Sequence, residues 1–286
     1  MRRSTEMMCD RRTPIAGLLV SVFLVGGCST TGPDGEYRPL RAQHGKDVMW
    51  VPTPDKLVDN MLEMAQVGPD DLVYDLGAGD GKIAIEAARK FGATAVGIEY
   101  NPDMAEFARQ KVRAAGVEDK VTIVTGDIFE AIFSKADVLT LYLLERLNIQ
   151  LKPQILAMKP GTRVVSNTFR MGAWQPDDTT SVEDGWSAYL WIVPAKVEGK
   201  WQFSGVPGMP DGVLDIRQSF QNVTGTYTPS SGTALPVQGR LDGATLALEP
   251  QTGFADGMGR SVQFVVDGQQ WRFPGSERAI VARKVP

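Results

Sequence analysis

The stretch Asp75-Leu76-Gly77-Ala78-Gly79-Asp80-Gly81 constrains this chain more than any other. It follows a short apolar run, Leu72-Val73-Tyr74. It precedes Lys82 to Phe91, an Ala-rich segment with helical spacing that Gly92 closes. A strand, a glycine turn and a helix in that order let the backbone reverse sharply and bring helix N–H groups close to a ligand. The spacing is G-x-G-x-G with an acid two places before the first glycine, whereas a dinucleotide fingerprint would read G-x-G-x-x-G. Alone, the run is also compatible with a plain glycine turn.

Its surroundings repeat the alternation. Asp55 to Val67 carries apolar residues at helical spacing. Ala93 to Glu99 reads as a strand, and Asn101 caps a helix with Pro102 in its first turn that stops near Gly116. Val121 to Thr125 and Asp137 to Leu143 are strands. Asn148 to Met158 is helical, with Pro153 implying a kink or a later start, and Arg163 to Ser166 is a fifth strand. Strands alternating with helices predict a doubly wound, mostly parallel α/β sheet over residues 49–196. Ligands in such sheets bind beyond the carboxyl ends of the strands, so the informative residues should sit just after each strand. Asp75 ends the first strand, Glu99 the second, and Gly126-Asp127-Ile128 follows the third. Each carboxylate alone reads as a solvated surface group; the three in succession point to one ligand.

This constellation resembles the class I S-adenosylmethionine (SAM)-dependent methyltransferases. The resemblance implies SAM as the cofactor. Asp75 would face the ammonium of its methionine end, directly or through water, and Gly77, Ala78, Gly79 and Gly81 would form the turn beneath it. Glu99 would accept from the ribose hydroxyls and Asp127 from the adenine amino group, with Ile128 packed on the ring. A closer resemblance covers about residues 50–175. It rests on Val51-Pro52-Thr53-Pro54, on Val73 to Gly81, and on Leu139-Thr140-Leu141-Tyr142-Leu143-Leu144 followed by Leu147-Asn148. These are similar to bacterial relatives of the mitochondrial protein-lysine methyltransferases that modify the ATP synthase c-subunit or the adenine nucleotide translocase. Two positions depart from that family. Glu145 stands where Pro is usual, and Asn167-Thr168 stand where His-Asp is usual after Val164-Val165-Ser166. Both lie on the acceptor side. Tyr142 is the candidate for lining the methyl-acceptor site, with a rim or core tyrosine as the alternative. Trp50 and Thr53 are candidates for closing over the cofactor.

Other chemistries find few residues here. The chain has one histidine, His44, and two cysteines, Cys9 and Cys28, so a histidine triad or a multi-residue metal site is hard to build. The net charge is −4 with no basic run, which argues against a nucleic-acid partner.

The N-terminus has its own pattern. Arg2, Arg3, Arg11 and Arg12 precede an apolar run from Ile15 to Val25, too short to span a bilayer comfortably, and then Gly26-Gly27-Cys28. This resembles the signal and lipobox of bacterial lipoproteins, which implies cleavage before Cys28 and acylation of that residue. The expectation is a signal peptide at 1–27, a flexible tether at 28–48, and a lipid-anchored protein of the cell envelope, facing the periplasm from the outer membrane. An unused signal would leave it cytoplasmic.

After residue 197 the pattern changes to short alternating runs separated by turns such as Asp242-Gly243 and Asp267-Gly268. Residues 197–286 are expected to form an antiparallel all-β domain, a small barrel or sandwich, with Trp201, Phe203, Phe220, Tyr227 and Trp271 as its core. The whole chain therefore reads as a SAM-dependent methyltransferase with a protein lysine as acceptor. A small-molecule methyltransferase and a non-catalytic, lipid-anchored binding protein of the same fold are the alternatives.

Overall fold

A computed structural model describes residues 37–182, 185–206, 210–249, 261–274 and 280–285. The expected signal peptide at 1–27 and Cys28 lie outside the described residues. Described structure begins with a small hairpin of β1 (Gln43–His44) and β2 (Met49–Trp50). Its connection carries Lys46 to the surface of the α/β unit, where Nζ meets Asp127 Oδ2 at 2.5 Å. From composition, this stretch was expected to be the end of a flexible tether. It is instead held in place, because Trp50 packs against the glycine turn and Lys46 finds a carboxylate.

The α/β unit follows as α1 (Asp55–Met64), β3 (Leu72–Leu76), α2 (Lys82–Phe91), β4 (Thr94–Glu99), α3 (Pro102–Ala115), β5 (Val121–Thr125), β6 (Val138–Leu141), α4 (Glu145–Ile155) and β7 (Arg163–Asn167). A hairpin of β8 (Asp178–Ser181) and β9 (Ser187–Ile192) completes the sheet. The strand order is β5-β4-β3-β6-β7-β9-β8, with β3 to β7 parallel and β9 antiparallel to its neighbours. The doubly wound sheet is therefore as the sequence predicts. Every residue of β6 is buried, as a central parallel strand covered on both faces requires. Asn101 accepts from the N–H groups of Asp103 and Met104 and starts α3, with Pro102 in the first turn. Helix α4 starts at Glu145, three residues before Asn148, and runs on past Pro153. The proline sits in the last turn, so the one bond its missing N–H forfeits, to the Ile149 carbonyl, lies near the helix end.

The sheet carries apolar clusters on its two sides. One gathers Leu57, Met61 and Leu62 of α1 with Ile83 and Ala87 of α2. The other gathers Leu147, Leu151 and Ile155 of α4 with Trp174 and Trp191. The direction in which strands are added to the sheet reverses between β3 and β6, since β4 and β5 lie on one side of β3 and β6 and β7 on the other. The carboxyl ends of β3 and β6 thus form the switch point where a ligand crevice opens.

The C-terminal segment is a closed, eight-stranded antiparallel barrel. Its strands are β10 (Gly199–Phe203), β11 (Gly212–Ser219), β12 (Asn222–Pro229), β13 (Leu235–Asp242), β14 (Thr245–Leu248), β15 (Val262–Asp267), β16 (Gln270–Arg272) and β17 (Ile280–Lys284). Each pairs with the next and β17 returns to β10. Trp201, Phe203, Tyr227, Phe264 and Trp271 are buried inside, with the Trp201 and Trp271 rings 4.5 Å apart between centroids. Four of the five aromatic residues expected in this core are there. Phe220 is not: it lies in the β11–β12 turn and packs against the α/β unit.

Candidate active site

A cavity of about 580 Å³ opens at the switch point, a size suited to a nucleoside-sized ligand. Asp75, Gly77, Ala78, Gly79, Glu99, Asp127, Ile128, Thr53 and Tyr142 all line it. Gly81, expected among them, does not. It is the N-cap of α2 at φ +77°, and a Cβ there would meet Ala108 at 3.3 Å and Ile123 at 3.5 Å, so its lack of a side chain serves helix packing. Gly79 is different. At φ +54°, a Cβ would stand 2.6 Å from Trp50 Nε1, so the turn is bare where the β1–β2 hairpin closes over it.

The acidic groups are held in distinct ways. Asp75 is 2% exposed and its Oδ1 accepts from Thr140 Oγ1 at 2.8 Å. Burial pushes its carboxyl up to about 7; the Thr140 bond opposes this, and the charges of Asp80 and Glu99 add to it. Glu99 accepts from the Gly79 N–H at 2.8 Å through Oε2 and from the Asn101 N–H at 2.9 Å through Oε1. Burial raises its carboxyl against those backbone bonds. One carboxylate thus ties the glycine turn after β3 to the end of β4. Each oxygen keeps a second lone pair for a ligand hydroxyl. Asp127 is already engaged, by Lys46 and by the Phe129 N–H at 3.0 Å, and the Lys46 bond holds its carboxyl below the usual range. An adenine amino group would share or take over the Lys46 position. Lys46 also lies over the Tyr100 ring, 4.9 Å from its centroid.

Tyr142 follows β6 and is half-buried. Burial raises its phenol, with Arg41 pulling the other way. Its ring stacks near Phe169, 6.4 Å between centroids at 26°, and meets Trp186 edge-on at 5.9 Å. Phe169 lines the cavity beside it. Neither Phe169 nor Lys46 was singled out from the sequence, because Phe169 follows a strand in an irregular connection and Lys46 sits in a polar segment. Thr53 Oγ1 accepts from buried Asn167 Nδ2 at 3.3 Å, which links the segment before α1 to the end of β7.

These residues fit SAM by their chemistry. A bare glycine turn, a buried carboxylate below it, two further acids at neighbouring strand ends and mostly apolar walls match a ligand with an ammonium, a ribose and an adenine.

Comparison with known proteins agrees. The family described as ANTKMT methyltransferase domain matches residues 75–178. A protein-lysine N-methyltransferase of Saccharolobus islandicus (strain REY15A) is 44% identical over 151 residues, covering 51% of this chain and 94% of that protein. A Mus musculus lysine N-methyltransferase of the ATP synthase c-subunit is 32% identical over 132 residues, 46% of this chain and 53% of that protein. This chain thus spans about half the length of the mouse relative. Among solved structures, an RNA methyltransferase from Salinibacter ruber in complex with S-adenosyl-L-homocysteine is 49% identical, covering 51% of this chain and 96% of that one, with a TM-score of 0.50.

Proposed function

We propose, from the premise that this chain belongs to the ANTKMT-type methyltransferase family and is a SAM-dependent methyltransferase, that its methyl acceptor is a protein lysine. The observation that carries this reading is the 44% identity to a protein-lysine N-methyltransferase across 94% of that protein's length. When bound, SAM supplies a methyl group on a sulfonium, and in-line attack by the acceptor nitrogen forms an N–C bond as the S–C bond breaks. The chain's residues have three tasks. Asp75 anchors the methionine end of the cofactor and Glu99 its ribose. The β1–β2 hairpin and the apolar walls exclude water. Tyr142 and Phe169 line the cavity where a lysine side chain would enter, after giving its proton to bulk water. A lysine amine ordinarily holds that proton to a pKa of about 10.4, and a dry, aromatic-walled site lowers it.

An RNA acceptor is the second reading, favoured by the similarity to the Salinibacter ruber protein. Radiolabelled SAM incubated with envelope and cytoplasmic extracts separates the two. Label in protein supports the proposal; label confined to RNA or to small molecules overturns it. We further propose that the chain is a lipoprotein anchored through Cys28 in the cell envelope, a reading supported by the N-terminal sequence.

A further inference from the structure

One of the contacts between the barrel and the α/β unit falls on the connection that also supplies Phe169 to the cavity. The connection between β7 and β8, residues 168–177, carries Phe169 into the cavity near one end and Trp174 near the other. Trp174 is fully buried and stacks on Phe220 of the barrel, with centroids 5.8 Å apart and planes 12° apart. Its Nε1 donates to Gln221 Oε1 at 3.0 Å. Gln221 Nε2 donates in turn to the Gln175 carbonyl at 2.9 Å and to Asp177 Oδ1 at 3.3 Å. Arg240 of β13 donates to the same Asp177 oxygen at 2.5 Å. From the opposite side, buried Asn148 of α4 donates through Nδ2 to the carbonyls of Phe169 and Arg170 at 3.2 and 3.3 Å. The connection is held by α4 and, from the barrel, by the β11–β12 turn and Arg240 of β13.

Backbone strain marks both ends of this path. Thr168 has φ +64° and Phe220 has φ +54°, two of the four non-glycine residues with positive φ among the described residues. Strained backbone persists where the surrounding structure over-determines it. Phe220 and Gln221 are the two central residues of the turn joining β11 to β12, where positive φ at the first position favours glycine. A phenylalanine there serves nothing inside the barrel, since its ring belongs to the apolar cluster of the α/β unit.

We propose that the C-terminal barrel acts as a clamp on the acceptor loop. Phe220 and Gln221 are positioning residues: they touch neither cofactor nor acceptor, but fix the 168–177 connection and so place Phe169, and through it Tyr142, for methyl transfer. This assigns the barrel a role in the reaction beyond added stability. The structural half stands on the geometry alone, and only the kinetic half rests on the methyltransferase reading.

The test uses the full chain with Phe220→Gly, Phe220→Tyr and Gln221→Ala. Phe220→Gly is informative because glycine suits the turn while the ring is lost. Hydrogen exchange over residues 168–173 should accelerate in Phe220→Gly and Gln221→Ala by more than about tenfold. The rate of label transfer from SAM to the protein fraction should fall on the order of tenfold, with SAM affinity within about threefold of wild type. Phe220→Tyr, which keeps the ring, should restore both. Exchange in 168–173 within about twofold of wild type, or transfer rates unchanged, would overturn the clamp and leave the barrel a stabilising appendage. Should Phe220→Gly disrupt the barrel itself, Gln221→Ala decides by the same criteria. A wild-type protein that moves no label to any acceptor defeats the functional reading, while the exchange measurement still decides whether the barrel holds the loop.

Discussion

With Asp75 facing the SAM ammonium, as proposed, SAM binding depends on pH in a calculable way. Its carboxyl is 2% exposed and raised to about 7 by burial, yet it must be ionised to face an ammonium. At pH 5.5 roughly 3% of such a group is ionised, and at pH 7.4 roughly 70%. The ligand's α-amino group loses its own proton near roughly pH 7.7–8.0, so the favourable combination peaks between about 7 and 8. Multiplying the two charged fractions gives an affinity gain of roughly fifteen-fold from pH 5.5 to 7.4, about 1.6 kcal/mol. Isothermal titration across this range should show that acid limb, and near pH 6.5 the observed enthalpy should vary with buffer ionisation enthalpy, with a slope that reports proton release. Asp75→Asn should bind more weakly and lose the limb. A wild-type affinity flat between pH 5.5 and 7.4, or the same limb in Asp75→Asn, would refute the reasoning. The sign for stability without ligand is opposite to that of an ion-paired aspartate. The folded state holds the proton more tightly than the unfolded one, so the contribution of Asp75 is full below the ordinary aspartate value and is lost as pH rises toward 7.

Glu99→Ala removes the proposed ribose acceptor together with the tie between the glycine turn and β4, so SAM affinity measured by titration should fall by about thirtyfold or more, the low end of about 2 kcal/mol for a buried charged hydrogen bond. Gly79→Ala should displace Trp50 and strain the turn; a loss of about 1 kcal/mol in thermal stability and weaker SAM binding are expected, and unchanged Trp50 fluorescence would contradict the close approach. Tyr142→Ala should cut methyl transfer strongly while leaving SAM affinity within about threefold if the residue lines the acceptor side as proposed; equal losses in both would move it to the cofactor site. Cys28→Ser should shift the protein from the membrane fraction to the soluble one or leave an uncut precursor, and a wild-type chain with an unmodified residue 28 inside an uncut precursor would refute the lipid anchor.

The sequence revealed what repeats. The parallel sheet was legible because each strand is an apolar run followed by a turn and a capped helix, as at Asn101 and Gly92. The site residues were legible because strand ends in such a sheet converge, which Asp75, Glu99 and Asp127 do at one cavity. What escaped notice depends on long-range packing. Strand β13 contains Pro236, Gly239 and Arg240 and shows a weak alternation, so only its pairing with β12 and β14 defines it. The hairpin at Gln43–Trp50 is ordered by Asp127, some 80 residues away in sequence, and no local pattern announces that partner. Phe220 looked like barrel core because it is aromatic and ends an alternating run. Its positive φ turns it outward onto Trp174, a choice that only the assembled molecule makes visible.

Locating the transferred methyl group tests the central claim most directly. The protein would be incubated with SAM carrying a deuterated methyl group and with protein extract, and the modified peptides mapped by tandem mass spectrometry. The account predicts deuterated methyl groups on lysine side-chain nitrogens, dependent on Asp75 and Tyr142. Methylation confined to RNA, to small molecules or to side chains other than lysine would contradict it.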